Sequence, residues 1–179
     1  MVTIIFESHG TTFDNENKIS SGLHDSDLSP SGEKQAKELG DRRKKDKFDA
    51  IFCSDLIRSR RTAEIAFAGS KIPIFNDARL QECDYGDFNG YPTDEVEPLK
   101  RDHIYRPFPK GESYEETSDR MKKFLDDLLI SFDGKKVLII GHRATQYGLD
   151  RWADEVDLKE AVTRPWKWQP GWEYHYPKK

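Results

Sequence analysis

The sequence predicts an α/β protein, a three-layer α/β/α sandwich on a mostly parallel central sheet, and three observations carry that reading. Short apolar segments rich in β-branched and aromatic residues recur at residues 3–6, 49–53 and 136–140. Stretches with helical apolar spacing alternate with them, an order that places parallel strands inside and crossover helices on both faces. The 179 residues suit one compact domain, residues 1–179, with room for a core that needs no disulfide or metal staple.

Residues 3–6 read as a buried strand that ends at Ser8-His9-Gly10 and so delivers His9 into a loop. Ser29 and Pro30 offer a capping hydroxyl and a proline for the first turn, opening a helix that runs through about Lys45. Residues 49–53 form a second strand, and a helix bearing Arg58, Arg60 and Arg61 starts after Ser54-Asp55. Residues 71–75 and 79–82 are short extended segments. Residues 83–110, rich in Gly, Pro and charge, read as a long irregular excursion of the kind that covers sites. Within residues 112–132, Met121, Phe124, Leu125, Leu128, Leu129 and Phe132 recur at three- and four-residue spacing, one stripe of an amphipathic helix that Gly134 stops. Residues 136–140 are the most apolar strand, after which Gly141-His142 turns into a helix ending near Trp152. In the tail, aromatic and polar residues alternate from 166 to 176 about Pro170-Gly171, the pattern of a hairpin closing a sheet edge.

Composition narrows the function. With 29 basic against 33 acidic residues the net charge is −4, which argues against a nucleic-acid or membrane-surface binder and makes any anion site local. Cys53 and Cys83 stand apart with no CxxC or His-rich neighbourhood, so neither a zinc site nor a redox pair is expected and a reducing, cytoplasmic setting fits. The apolar run at the N-terminus is too short for a secretory leader, and no stretch approaches the roughly 20 apolar residues of a membrane span.

His9, Arg58, Glu82 and His142 all fall at or just after strand ends, where open α/β sheets bind their ligands. An imidazole, with an ordinary pKa of about 6.5, is a competent nucleophile toward phosphorus, and a guanidinium forks onto phosphate oxygens. The set suits phosphoryl transfer. Taken singly, each residue has a plainer use: a histidine after a strand usually caps or packs, Arg58 has Arg60 and Arg61 beside it, and Glu82 has Asp84 and Asp87. Together and in order they weigh more.

Ser8-His9-Gly10-Thr11-Thr12-Phe13-Asp14-Asn15 resembles the Arg-His-Gly-Glu-Thr-x-x-Asn motif of the histidine phosphatase, or phosphoglycerate-mutase-like, superfamily. Leu28-Ser29-Pro30-Ser31-Gly32, Ser54-Asp55-Leu56-Ile57-Arg58-Ser59, Leu80-Gln81-Glu82, Pro109-Lys110-Gly111-Glu112-Ser113 with Arg120, and Ile139-Ile140-Gly141-His142 are similar to later segments of the family, in family order. The resemblance implies that His9 is transiently phosphorylated, that Arg58 and His142 hold the phosphoryl group, and that Glu82 acts as acid and then as base. It further implies Asn15 and the Gly10 amide as weaker phosphate contacts, a small phosphorylated substrate with inorganic phosphate as product, and no cofactor or metal.

Three departures stand out: Ser8 where the family motif has its first arginine, Thr11 for an acidic residue, and Arg143 for the usual glycine after the second histidine. Losing a guanidinium from a dry anion pocket costs several kcal/mol at the transition state, roughly 10²-fold in rate. Arg143, beside His142 at a helix start, is a candidate replacement cation, the alternative being a solvated surface arginine. Three functions follow: a phosphomonoester hydrolase, a catalytically silent phosphate-ligand binder, and a mutase, which the short chain disfavours. Lys100, Arg101, Arg106 and Lys110 in the excursion are candidates to attract a second anionic group, although such charges are more often solvated.

Overall fold

The structure is a computed structural model that describes residues 1–177. Its elements in chain order are β1 (Val2–Ser8), α1 (Phe13–Glu16), β2 (Ile19–Ser20), α2 (Pro30–Arg43), β3 (Ala50–Cys53), α3 (Ile57–Ala66), β4 (Ile74–Asn76), β5 (Tyr91–Pro92), α4 (Thr93–Val96), α5 (Tyr114–Phe132), β6 (Lys136–Gly141), α6 (Arg143–Trp152), α7 (Leu158–Thr163) and β7 (Trp172–Tyr176). Five strands form the central sheet in the order β4-β3-β6-β1-β7, and only β7 runs antiparallel to its neighbour. The α/β reading with a mostly parallel sheet therefore holds.

Alternate residues of the same strands feed two cores, which is the period-two logic of a sheet covered on both faces. Ile4, Phe6, Phe52, Val137 and Ile139 pack against Met121, Phe124, Leu125 and Leu128 of α5 and Leu149 of α6. Ile5, Ile51, Cys53, Leu138 and Ile140 pack on the opposite face with Leu39 of α2 and Ala63 of α3. The stripe read in residues 112–132 is the buried face of α5, whose start is fixed by a reciprocal cap: Ser113 Oγ accepts from the Glu116 N–H, and Glu116 accepts from the Ser113 N–H. Likewise the Ser29 hydroxyl caps α2 ahead of Pro30.

Three segments differ from the expectation. Residues 79–82 do not form one extended segment: Ala78–Leu80 is a short 3-10 turn capped by Asp77, the backbone extends again at Gln81, and Glu82 is brought to the sheet end. Residues 83–110 are ordered rather than irregular, carrying β5, α4 and the 3-10 helix Glu97–His103 over a third core. That core joins Tyr85, Val96, Ile104 and Phe108 to Tyr114, Tyr147 and Leu158, contacts made between distant parts of the chain and so without local periodicity. The tail is one strand, not a hairpin. β7 takes the free edge of β1, whereas residues 166–171 have no strand to pair with and are held by side chains, including Arg43 donating to the Pro170 carbonyl at 3.1 Å. Among the described residues no helix is long and apolar enough to cross a membrane.

Candidate active site

Sheet register brings the two histidines together. β1 and β6 are parallel neighbours with Ser8 opposite Gly141, so His9 and His142 leave the sheet side by side, their ring centroids 5.1 Å apart. The His9 N–H still donates to the Gly141 carbonyl at 3.1 Å. His9 Nδ1 lies 2.7 Å from the Gly10 carbonyl oxygen, which can only accept; Nδ1 is thereby the protonated nitrogen and Nε2 keeps its lone pair. Burial, reinforced by the Arg58 charge, pushes the His9 pKa down to about 3, so the ring stays neutral through the physiological range. His142 is depressed well below its ordinary value by burial and then by Arg58 and His9. Its Nε2 meets the Ser54 hydroxyl at 2.7 Å, and its backbone N–H donates to Thr145 Oγ1 at 3.0 Å.

Arg58 is almost wholly buried, 2% exposed, and enters from the first turn of α3. Its guanidinium donates to the Gly22 carbonyl at 2.7 Å and the His24 carbonyl at 3.0 Å, leaving part of the fork for an anion. Gly22 has φ +54°, and a Cβ there would meet Asn89 Oδ1 at 1.9 Å, so the loop needs glycine. Asn89 Oδ1 accepts the Leu23 and Tyr85 N–H groups, tying that loop to the excursion.

Glu82, 9% exposed, reaches the base of α6, where Oε1 accepts from the Cys83 N–H at 2.8 Å and the Ala144 N–H at 3.3 Å. Arg120 of α5 fixes the segment that carries it, donating to the carbonyls of Arg79, Gln81 and Glu82 while pairing with Glu112. His9, Arg58, Glu82 and His142 line a single cavity of about 640 Å³, with Ser8, Gly10, Asn15 and Arg143 also on its walls.

Two of those residues are occupied otherwise than expected. The Gly10 N–H donates to Thr62 Oγ1 at 3.0 Å, so it is not free for phosphate; a Cβ at Gly10 would meet the Gly32 carbonyl oxygen at 2.6 Å, and close approach to α2 is what this glycine permits. Arg143 turns to the excursion wall, with Nη1 3.4 Å from Glu97 Oε1 and its guanidinium over the rings of Tyr147 and Trp166. The charge that depresses both histidine rings is that of Arg58. These contacts do not meet the expectation that Arg143 replaces a cation beside Ser8. Asn15 Oδ1 accepts the Thr12 N–H at 3.0 Å in the cap of α1, leaving its amide nitrogen as the part that can reach a ligand.

The sequence profile of the histidine phosphatase superfamily (branch 1) matches residues 4–167. The chain belongs to that superfamily. Among its relatives, the uncharacterized phosphatase PhoE of Bacillus subtilis (strain 168) is 36% identical over 149 residues, covering 83% of this chain and 76% of PhoE. GpmB of Citrobacter koseri, described as a probable phosphoglycerate mutase, is 32% identical over 198 residues, covering 96% of this chain and 90% of GpmB. Bacillus stearothermophilus YhfR shares the fold with a TM-score of 0.83 at 28% identity, covering 95% of this chain and 88% of YhfR. A mycobacterial glucosyl-3-phosphoglycerate phosphatase, at 21% identity, shares the fold alone, with a TM-score of 0.80 over 89% of this chain and 85% of its own. PhoE is thus named a phosphatase and GpmB a probable mutase, the two activities found under this superfamily.

Sequence reasoning missed the positioning groups of this histidine phosphatase fold. Ser54, on which His142 rests, and Thr62, on which Gly10 rests, belong to the same family-like segment as Arg58 but were given no role there. The signals for Ser54 were its place at the head of that segment and at the end of β3.

Proposed function

We propose that the chain hydrolyses a small phosphomonoester without a metal ion, through a phosphohistidine at His9. His9 Nε2 attacks phosphorus, the P–O bond to the leaving group breaks, and Glu82 delivers a proton to the departing oxygen. Water then attacks the phosphorus, Glu82 takes its proton, the P–N bond breaks, and inorganic phosphate leaves. Arg58, with His142, stabilises the equatorial oxygens in both steps, and the Asn15 amide is a further contact. Ser8 stands where the family motif carries another arginine, so the rate is expected to be modest. The observation that carries this reading is a neutral, tautomer-fixed imidazole in one cavity with a buried guanidinium and a buried carboxyl.

Ser8 favours one other reading, a member that binds phosphate esters without turning them over. The likeness to GpmB keeps a mutase as the third. The test is p-nitrophenyl phosphate hydrolysis in EDTA, with labelling of the protein by a phosphate ester stopped in alkaline denaturant. Turnover that persists in EDTA and falls about 10⁴-fold in His9→Ala, together with base-stable, acid-labile label, is expected. Saturable vanadate binding by a folded wild type that shows no turnover would establish the silent binder instead, and transfer of label to a second alcohol rather than to water would establish the mutase.

A further inference from the structure

The cavity extends well beyond the phosphoryl site. At about 640 Å³ it has room for a sizeable alcohol portion besides one phosphoryl group, and where α2 borders it the segment preceding β7 forms part of the wall. Trp168 of that segment lines the cavity together with Ser8, Glu38 and Leu39. Its neighbour Trp166 is engaged by the Arg143 guanidinium, by the Trp172 ring and, through its indole N–H, by Gln146. Trp168 has no such contacts. Its ring is 56% exposed and, among the described residues, has neither a ring partner nor an acceptor for its N–H. An indole left uncovered on the wall of a cavity is available to a ligand.

The segment that carries Trp168 has no strand to pair with, yet it is tied down from beneath. Glu7 is 1% exposed, an unusual position for a carboxylate, and it directly precedes Ser8. Arg43 Nε donates to Glu7 Oε1 at 2.8 Å, and Arg42 Nη2 donates to Glu7 Oε2 at 3.0 Å. The far end of the Arg43 fork donates to the Pro170 carbonyl, just beyond Trp168. A buried carboxylate gains little net stability from such pairing, whereas the pairing does fix geometry. Asp46 pairs with Arg43 as well, so charge on this side of the cavity is balanced internally, and the uncovered indole is its distinctive ligand-facing group.

We propose that Trp168 is the stacking face for a planar aromatic group in the alcohol portion of the substrate, and that Glu7 and Arg43 are positioning residues that hold that face at the cavity wall. The inference rests on the hydrolase reading, which makes the alcohol portion the leaving group. With phosphorus at His9 and Arg58, the ring extends past Ser8 onto the indole. Ser8 is small enough to leave that path open, so the residue that weakens the phosphoryl site also makes room for the ring. An offset or edge-to-face contact with the indole adds a preference, beyond burial of area, that a saturated ring does not receive. Because the staple orders the segment before the ligand arrives, less freedom is lost on binding.

Calorimetric binding of benzylphosphonate and (cyclohexylmethyl)phosphonate tests the face without turnover, because burial alone favours the larger, saturated ring. The wild type is expected to bind the benzyl compound about fivefold tighter. Trp168→Ala should bring that ratio to about one or below, and Trp168→Phe, which restores a flat ring, should recover most of it. Arg43→Met, which keeps the stem and frees Pro170, should cut the preference to about twofold. In turnover of the matching esters, the same variant should raise KM for benzyl phosphate more than it lowers kcat, as befits a residue that places a binding face. A wild type that binds both compounds alike or favours the saturated one, or a preference that survives in Trp168→Ala, overturns the face. A preference unchanged in Arg43→Met, or a loss confined to kcat, overturns the staple. Turnover is read separately: a chain that hydrolyses benzyl phosphate yet binds both phosphonates alike keeps the function and loses the face, whereas an inactive chain that prefers the aromatic ring does the reverse.

Discussion

The floor and the excursion wall of the cavity hold their charged groups by different means. On the floor, His9 and His142 are fixed by strand register, and Arg58 is buried against two backbone carbonyls, so their positions follow from the sheet itself. On the wall, Lys100, Glu97 and Arg143 hold one another, side chain to side chain, on a short 3-10 helix and the first residue of α6. Groups set by backbone hydrogen bonds are pre-organised for charge that develops in a transition state, while side-chain clusters adjust to a ligand's shape and charge. The proposed function accordingly puts its chemistry on the floor.

Glu82 lies between the two regions, and its replacement should separate them most sharply. Glu82→Gln keeps the shape and removes the transferable proton. With an alkyl phosphate, whose departing oxygen needs that proton, kcat should fall by about 10³-fold; with p-nitrophenyl phosphate, whose leaving group departs as the anion, the loss in the first step should be much smaller. Pre-steady-state release of the two alcohols measures it. Equal losses for both substrates would mean that Glu82 only supports the floor.

The next effect concerns the cation balance. The wall has the buried Lys100 and the half-buried Arg143, and the floor has Arg58, with Ser8 at the position beside His9. Ser8→Arg adds a guanidinium to the floor, and a rise of about 10²-fold in kcat/KM for a simple aryl phosphate is expected. An unchanged rate would mean that Arg143 reaches across to the phosphoryl group after all, erasing the division between the regions.

The two regions also differ in how far the sequence discloses them. The strand at residues 3–6, the strand at 136–140 and the histidines that follow them were legible because β-branched runs and strand-end chemistry are local patterns. α5 was legible through its apolar spacing. The wall was not. Its core depends on Tyr85, Phe108, Tyr114 and Tyr147 meeting across distant segments, and no short window contains that information. The same holds for the Arg58 cradle, since nothing in the order of residues 20–24 says that their carbonyls will face a guanidinium. Arg143 was recognised as unusual, yet its direction depends on where Glu97 and Trp166 lie, which only the assembled fold decides.

Both floor histidines have pKa values lowered in the folded state, which fixes the sign of a pH effect. As pH falls below about 6.5, the unfolded chain takes up protons at these residues while the folded chain does not, so the contribution is present above that value and is lost toward about pH 3. Each ring contributes a slope of at most about 1.4 kcal/mol per pH unit within that window. Urea midpoints at pH 8, 6.5 and 5 should decline in that order, and less steeply in His9→Gln. The C–H proton resonances of His9 and His142 should not titrate between pH 8 and 5. A normal titration near 6.5 would mean that the rings are solvated as in the unfolded chain and that the floor is not the pre-organised region described.

The smallest effect is the most specific to the floor. In Ser54→Ala the Nε2 of His142 loses its hydroxyl partner inside the fold, which should lower stability by about 1 to 2 kcal/mol in urea unfolding. His142 Nδ1 already lacks a partner among the described residues, so the ring would keep no side-chain hydrogen bond to hold its plane. A loosened ring beside His9 should reduce kcat several-fold with little change in KM, because the interaction it makes with the equatorial oxygens strengthens only as the phosphoryl group moves. Ser54→Thr, which restores a hydroxyl, should recover most of the lost kcat. If Ser54→Ala instead raises KM and leaves kcat alone, His142 holds the bound ester as firmly as the transition state, and the floor binds rather than catalyses.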